Sequence, residues 1–96
     1  MPIQSFGDRD TELFFETGRV KKGVGWVQIK NVVRRKLDMV HYAAQLDDLR
    51  SPPRNRLEAL KGDFKSFYCI RVNDQWRIIF RWRSAGPEEV SVIDYH

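Results

Sequence analysis

The sequence predicts an α+β domain, a small antiparallel-dominated β-sheet with two N-terminal helices packed on one face. Three observations predict it. Apolar residues recur at helical spacing in the first half of the chain, they alternate with polar residues at strand spacing in the second half, and short loops rich in turn-forming residues join the strands. Helices that come first and strands that follow gather the helices on one side of a sheet, whereas regular alternation would build a parallel sheet. At 96 residues the chain suffices for one modest core, so a single domain spanning residues 1–96 is expected.

Residues 2–6 set Ile3 against Gln4 and Ser5, an alternation that reads as an edge strand. Asp8 stands where a helix N-cap belongs. Asp10 and Glu12 occupy the first turn, where the helix dipole favours acids, and Gly18 can close the C-terminus. This gives a first helix at 9–17, with Leu13 and Phe14 as its buried residues. Residues 19–25 form a basic loop punctuated by glycine. Trp26, Ile29, Val33, Leu37, Val40 and Ala44 then recur every three or four residues and predict one longer helix with a single apolar stripe. Lys30, Arg34, Arg35 and Asp38 fall on its other side, a charged face that solvation alone would explain. His41, with no second ligand or acid at a matching spacing, reads as a partly buried helix residue.

A short turn at 46–50 is followed by Ser51-Pro52-Pro53, which stops any helix. Residues 55–61 fit either a short helix ended by Gly62 or a strand. Residues 67–82 carry the clearest signal: two apolar runs flank Asn73-Asp74, the signature of a hairpin with a tight primed turn. Ser84-Ala85-Gly86-Pro87 reads as a loop, and 88–95 as a last strand marked by Val90, Val92 and Ile93.

Alternation on the second hairpin strand puts Trp76, Ile78, Phe80 and Trp82 on one face and Arg77, Ile79, Arg81 and Arg83 on the other. The first face should meet the apolar stripe of the long helix. The second is cationic, and with Arg71 it could present planar donors to a phosphate chain. The whole composition agrees: 17 Lys plus Arg oppose 13 Asp plus Glu, a net charge of +4 that favours a polyanionic partner. No apolar run approaches a membrane span and no basic, then hydrophobic, N-terminal segment signals export, so a cytoplasmic chain without membrane contact is expected. One cysteine and two histidines offer no zinc spacing, and no cofactor motif is present. Cys69, in mid-strand, reads as a small hydrophobe.

The chain closes on Asp94-Tyr95-His96. On a strand, Asp94 and His96 point one way and Tyr95 the other, which sets a carboxylate near an imidazole at the sheet edge. Metal-free RNA cleavage needs a group to draw the proton from a 2′-hydroxyl, a group to protonate the leaving 5′-oxygen, and fixed cations at the phosphate. His96, Arg77 and Lys61, with Tyr95 or Asp94 beside them, would cover those roles.

Leu60-Lys61-Gly62-Asp63, then Trp76-Arg77-Ile78 after a hairpin turn, then the terminal Asp94-Tyr95-His96 closely resemble the HigB toxins of the RelE/ParE superfamily. Leu49-Arg50-Ser51-Pro52-Pro53, followed by Asn55-Arg56-Leu57-Glu58-Ala59-Leu60, is similar to the GraT type of HigB. The resemblance covers nearly the whole chain. It implies a RelE-like fold and the toxin of a type II toxin-antitoxin system: a ribosome-dependent endonuclease that cuts mRNA codons in the ribosomal A site without metal. It also implies a helix-turn-helix antitoxin, HigA, as partner, and operator DNA reached through that antitoxin. Carried over by residue, Lys61 and Arg77 match the phosphate-binding and charge-stabilising positions, and Asp94, Tyr95 and His96 the C-terminal catalytic group. Arg71, Arg81 and Arg83 remain supporting RNA-binding charges, and 55–61 becomes a strand. In one respect the chain departs from the pattern: some HigB proteins carry a histidine three residues before the lysine, where this sequence has Glu58. Two other readings stand beside this one, a ParE-like toxin that acts on DNA gyrase and a nucleic-acid-binding or co-repressor module without catalysis.

Overall fold

The computed structural model describes residues 1–95. Among them, two α-helices pack on one face of an antiparallel sheet of order β1-β2-β3-β4. Helix α1 spans Arg9–Thr17 with the expected caps: Asp8 Oδ1 accepts from the Thr11 amide at 2.7 Å, and Gly18, at φ 77°, donates its amide to the Phe14 carbonyl. Its buried residues are Phe14 and Thr11, while the expected Leu13 is only half-buried. Thr11 is drawn inward by hydrogen bonds. Its hydroxyl donates to Asp8 Oδ2 at 2.9 Å and accepts from the Val92 amide at 3.2 Å, tying the start of α1 to the last strand.

The second helix is shorter than its apolar stripe. A 3-10 turn at Val27–Ile29 leads into α2, Lys30–Tyr42. Val33, Leu37 and Val40 are fully buried and Trp26 nearly so. Ala43 is buried in place of the expected Ala44, because the backbone leaves the helix at Ala43 with ψ 132° and the next side chain turns outward.

Strand β1 (Glu58–Ala59) pairs with β2 (Tyr68–Arg71), which pairs with β3 (Trp76–Arg83), which pairs with β4 (Gly86–Asp94), each antiparallel. The 55–61 segment is thus a strand at two residues only. The β2–β3 connection is not the tight primed turn that Asn73-Asp74 suggests. Neither residue has a positive φ, and the loop covers residues 72–75 because Asn73 Oδ1 accepts from the amides of Gln75 (2.9 Å) and Trp76 (2.8 Å). Between β3 and β4 the loop shrinks to Ser84-Ala85, since Gly86 and Pro87 already pair with Arg83 and Trp82. Only glycine fits at 86: its φ is 135°, and a Cβ there would lie 2.6 Å from the Pro2 carbonyl oxygen.

A β-bulge shifts the β3–β4 register between Ile79 and Arg81, with Glu89 at φ 53°. It interrupts pairing beyond β4 as well. The expected edge strand at 2–6 is reduced to one parallel bridge, Phe6 to Val90, supported by the Gln4 amide on the Pro87 carbonyl and the Val90 amide on the Ser5 carbonyl.

The main core lies between helices and sheet. Ile78 and Phe80 join Phe14, Trp26, Val33, Leu37, Val40, Ile70, Val90 and Val92 there, with Trp76 and Trp82 half-buried at its ends, as the alternation requires. A second, smaller cluster of Leu60, Cys69 and Ile79 occupies the opposite face, covered by Phe64, Phe67, Ile93 and Tyr95. Among the described residues no helix is long and apolar enough to cross a membrane.

Candidate active site

The face away from the helices is organised by its small apolar cluster. Cys69 and Ile79 are cross-strand neighbours, Glu58 lies opposite Cys69, and Arg77 lies opposite both Arg71 and Ile93. Leu60 is fixed by its amide bond to the Phe67 carbonyl at 2.8 Å, and Gly62, at φ 66°, turns the chain into a 3-10 turn at Gly62–Phe64. Lys61 is left exposed at the head of that turn. From the other end of the sheet, Tyr95 is held by its amide on the Gln75 carbonyl at 3.0 Å. The two meet in an open cleft of about 210 Å³ lined by Glu58, Ala59, Leu60, Lys61 and Tyr95.

Arg77 is half-buried beside this cluster. Its Nη1 donates to two backbone carbonyls, Asn73 at 2.5 Å and Trp76 at 3.2 Å, which fixes the guanidinium without neutralising it. The other arginines are matched by acids. Arg71 pairs with Asp74, Arg81 Nε lies 2.7 Å from Glu89 Oε2, though out of hydrogen-bonding alignment, and Arg83 Nε lies 3.8 Å from Glu88 Oε1. Arg81 also stacks over the Phe67 ring at 4.5 Å. Among the described residues, no carboxylate meets Lys61 or Arg77.

Cys69 is 1% exposed, and its Sγ sits 3.8 Å from Glu58 Oε1. Burial first, and then the Glu58 charge, push its thiol up to about 12. It is the small hydrophobe the sequence suggests, and Glu58, which stands where some HigB proteins carry a histidine, lines the cleft. Asp94 takes a different place. It lies opposite Trp76, whose ring packs on the helix side, and its Oδ2 accepts from Gln75 Nε2 at 2.9 Å. Lys61 and Tyr95 therefore come together, Arg77 shares their face, and Asp94 is turned to the other. His96 lies outside the described residues. What sequence reasoning did not anticipate is the apolar floor; the unbroken apolar runs Cys69-Ile70, Ile78-Ile79-Phe80 and Val92-Ile93, which bury both faces of a strand, are the signal that could have revealed it.

Against known proteins, the model of a family described as "RelE-like toxin of type II toxin-antitoxin system HigB" matches residues 4–96. The chain belongs to the HigB family of RelE-like toxins. Toxin HigB-1 of Vibrio cholerae serotype O1 is 40% identical over 77 residues, which make up 80% of each chain. The Endoribonuclease HigB of Proteus vulgaris is 30% identical over 94 residues, 98% of this chain and 99% of that one. In three dimensions, a YoeB/ParE toxin from Agrobacterium tumefaciens matches with a TM-score of 0.51 over 100% of this chain and 99% of its own, at 17% identity, a likeness of fold. As a HigB-family toxin of a type II system, the chain has an antitoxin as partner.

Proposed function

We propose that this HigB-family toxin is a single-domain, cytoplasmic endoribonuclease of residues 1–96 that cuts mRNA codons in the ribosomal A site without a metal. The observation that carries the reading is the pairing of Lys61 with Tyr95 in one cleft, on the face where Arg77 also lies, met by no acid among the described residues. The name and 30% identity of the Proteus vulgaris endoribonuclease support the class of reaction.

In this reading the 2′-oxygen attacks the adjacent phosphorus as its proton leaves, the bond to the 5′-oxygen breaks, and that oxygen takes a proton. The products are a cyclic phosphate and a free 5′-hydroxyl. Lys61 and Arg77 hold the phosphate and oppose the charge that grows on it, a role in which fixed donors act most strongly when already oriented, as Arg77 is by two carbonyls. The C-terminal group of Tyr95 and His96 transfers protons, with Asp94 steadying the chain end through Gln75. Arg71, Arg81 and Arg83 guide RNA along the same sheet. A helix-turn-helix antitoxin restrains the toxin and carries it to operator DNA.

Translating ribosomes programmed with a defined mRNA test this directly. Added toxin should cut within codons at the A site, as read by primer extension, and should leave the same mRNA intact when ribosomes are absent. Intact mRNA on translating ribosomes together with loss of gyrase supercoiling would establish the ParE-like alternative instead.

A further inference from the structure

A second basic cavity lies away from the Lys61–Tyr95 cleft. It measures about 440 Å³ and is lined by Val32, Arg35 and Lys36 of α2, Pro52 and Arg54 of the turn that follows, and Arg71, Val72 and Asn73 at the hairpin. Four of these eight residues are cations and none is an acid.

The way these cations are satisfied separates the cavity from an ordinary solvated face. On the same helix, Arg34 is accounted for by Asp38 at 3.3 Å and by the Phe15 ring at 5.1 Å. Arg35 and Arg54 have no acid partner among the described residues. Arg71 meets Asp74 through Nη2 while its Nε is buried without a partner among the described residues. Lys36 is the most telling. It is 4% exposed, and among the described residues its ammonium donates only to a neutral amide oxygen, Asn55 Oδ1. A buried lysine ordinarily finds a counter-charge. Here burial, and then Arg35, hold its pKa below the ordinary value, as expected where an anion is wanting.

We propose that this cavity is a phosphodiester-binding subsite, in which Arg35, Arg54 and Lys36 hold an RNA phosphate apart from the one that is cut. The partner chemistry follows from continuity. Asn73 lines the cavity, and its carbonyl accepts from Arg77 Nη1, so the cavity and the candidate catalytic cation sit on two sides of one hairpin turn. A polymer with a charge at every residue can occupy both. Forked guanidiniums also suit phosphate oxygens better than a single point charge would. The phosphate belongs either to the mRNA strand that is cut or to ribosomal RNA beside it.

The test uses the full chain and two probes that require no cleavage: a single-stranded RNA with every 2′-hydroxyl methylated, and small ribosomal subunits free of mRNA. Binding is followed against salt for the wild type, for R35Q/R54Q, and for R34Q/R50Q, which removes equal charge outside the cavity. All three should melt alike, because these arginines are exposed. For R35Q/R54Q we expect roughly tenfold weaker binding to one of the probes and a salt slope shallower by about 0.7 to 0.9 for each phosphate no longer neutralised, with R34Q/R50Q near wild type. Weakening on the oligonucleotide assigns the phosphate to mRNA, and weakening on the empty subunits assigns it to ribosomal RNA. Unchanged slopes on both probes, or equal weakening in the two variants, would each overturn the proposal. Neither probe is cut, so these outcomes are independent of whether the Lys61–Tyr95 cleft is catalytic.

Discussion

Arg71 and Arg77 face one another across the β2–β3 ladder, yet among the described residues a carboxylate, that of Asp74, meets only Arg71. Arg77 is held instead by the carbonyls of Asn73 and Trp76, so its position is fixed while its charge stays available. Of two arginines one cross-strand step apart, the chain has prepared one for an anion. Arg77→Ala is expected to slow codon cleavage by roughly 10² to 10³, the scale for losing one preorganised donor to a developing charge. Arg77→Lys should recover little, since a point charge cannot keep both carbonyl bonds and also the fork. Arg71→Gln should cost several-fold at most. Single-turnover cleavage on programmed ribosomes measures all three, and an Arg77→Ala protein that cuts at the wild-type rate would remove Arg77 from the site.

The Lys61–Tyr95 cleft makes a separate prediction, because the two residues arrive from opposite ends of the sheet. Lys61→Ala and Tyr95→Phe should each lower the cleavage rate, by about 10² or more where proton transfer or phosphate charge is affected. Lys61 is exposed, so its replacement should leave the melting temperature unchanged. If the residues act on one reacting phosphate, the double variant will be less impaired than the product of the single effects, as expected for groups that work as a unit. Multiplicative losses would place them in independent roles.

Cys69 offers a control whose sign is fixed by its surroundings. Unfolded, the thiol ionises near its ordinary 9.0; folded, it keeps its proton up to about 12. Between those values the folded state binds a proton that the unfolded state has lost. Stability should therefore fall as pH rises above 9, by up to about 1.4 kcal/mol per pH unit. Cys69→Ala removes this component, while the other titrating groups are common to both proteins. Urea unfolding at pH 8 and pH 10 should thus show the wild type losing more stability than the variant. Parallel losses would contradict the burial assigned to the thiol. At neutral pH the variant should cut RNA normally, and the native thiol should resist alkylation until urea is added.

The elements that could be read from sequence were those whose cause is local. Asp8 and Gly18 bounded α1 correctly because a cap is decided within a turn of the chain, and the alternation through Trp76, Ile78, Phe80 and Trp82 found the core face because a strand has a fixed period. The failures share a different cause, a partner distant in sequence. Thr11 is buried by the Val92 amide, 81 residues away, and the 2–6 segment loses strand pairing to a bulge at Glu89. Asn73 misled for the opposite reason, since its side chain closed the turn by itself. Of the candidate site residues, period alone told that Tyr95 and Asp94 part company. That Tyr95 should find Lys61 depends on the fold of β1 against β2, which no spacing between them encodes.

The buried Lys36–Asn55 contact is where non-local placement should matter most for stability. Asn55 is fully buried. Its Nδ2 donates to the Leu49 carbonyl at 3.1 Å and the Ser51 carbonyl at 3.3 Å, and its Oδ1 accepts from the Lys36 ammonium. Asn55→Leu strips all three and leaves a charge buried without an acceptor, so a loss of about 3 kcal/mol or more is expected. Much of that is the penalty of the stranded ammonium. Lys36→Met removes the charge itself while nearly keeping the volume, so the double variant K36M/N55L should regain a good part of what N55L loses, leaving the cost of the two orphaned carbonyls. Urea unfolding of the four proteins forms a closed cycle. If K36M adds its own loss to that of N55L, the ammonium is solvated in the native state and the cavity beside it is wetter than its lining implies.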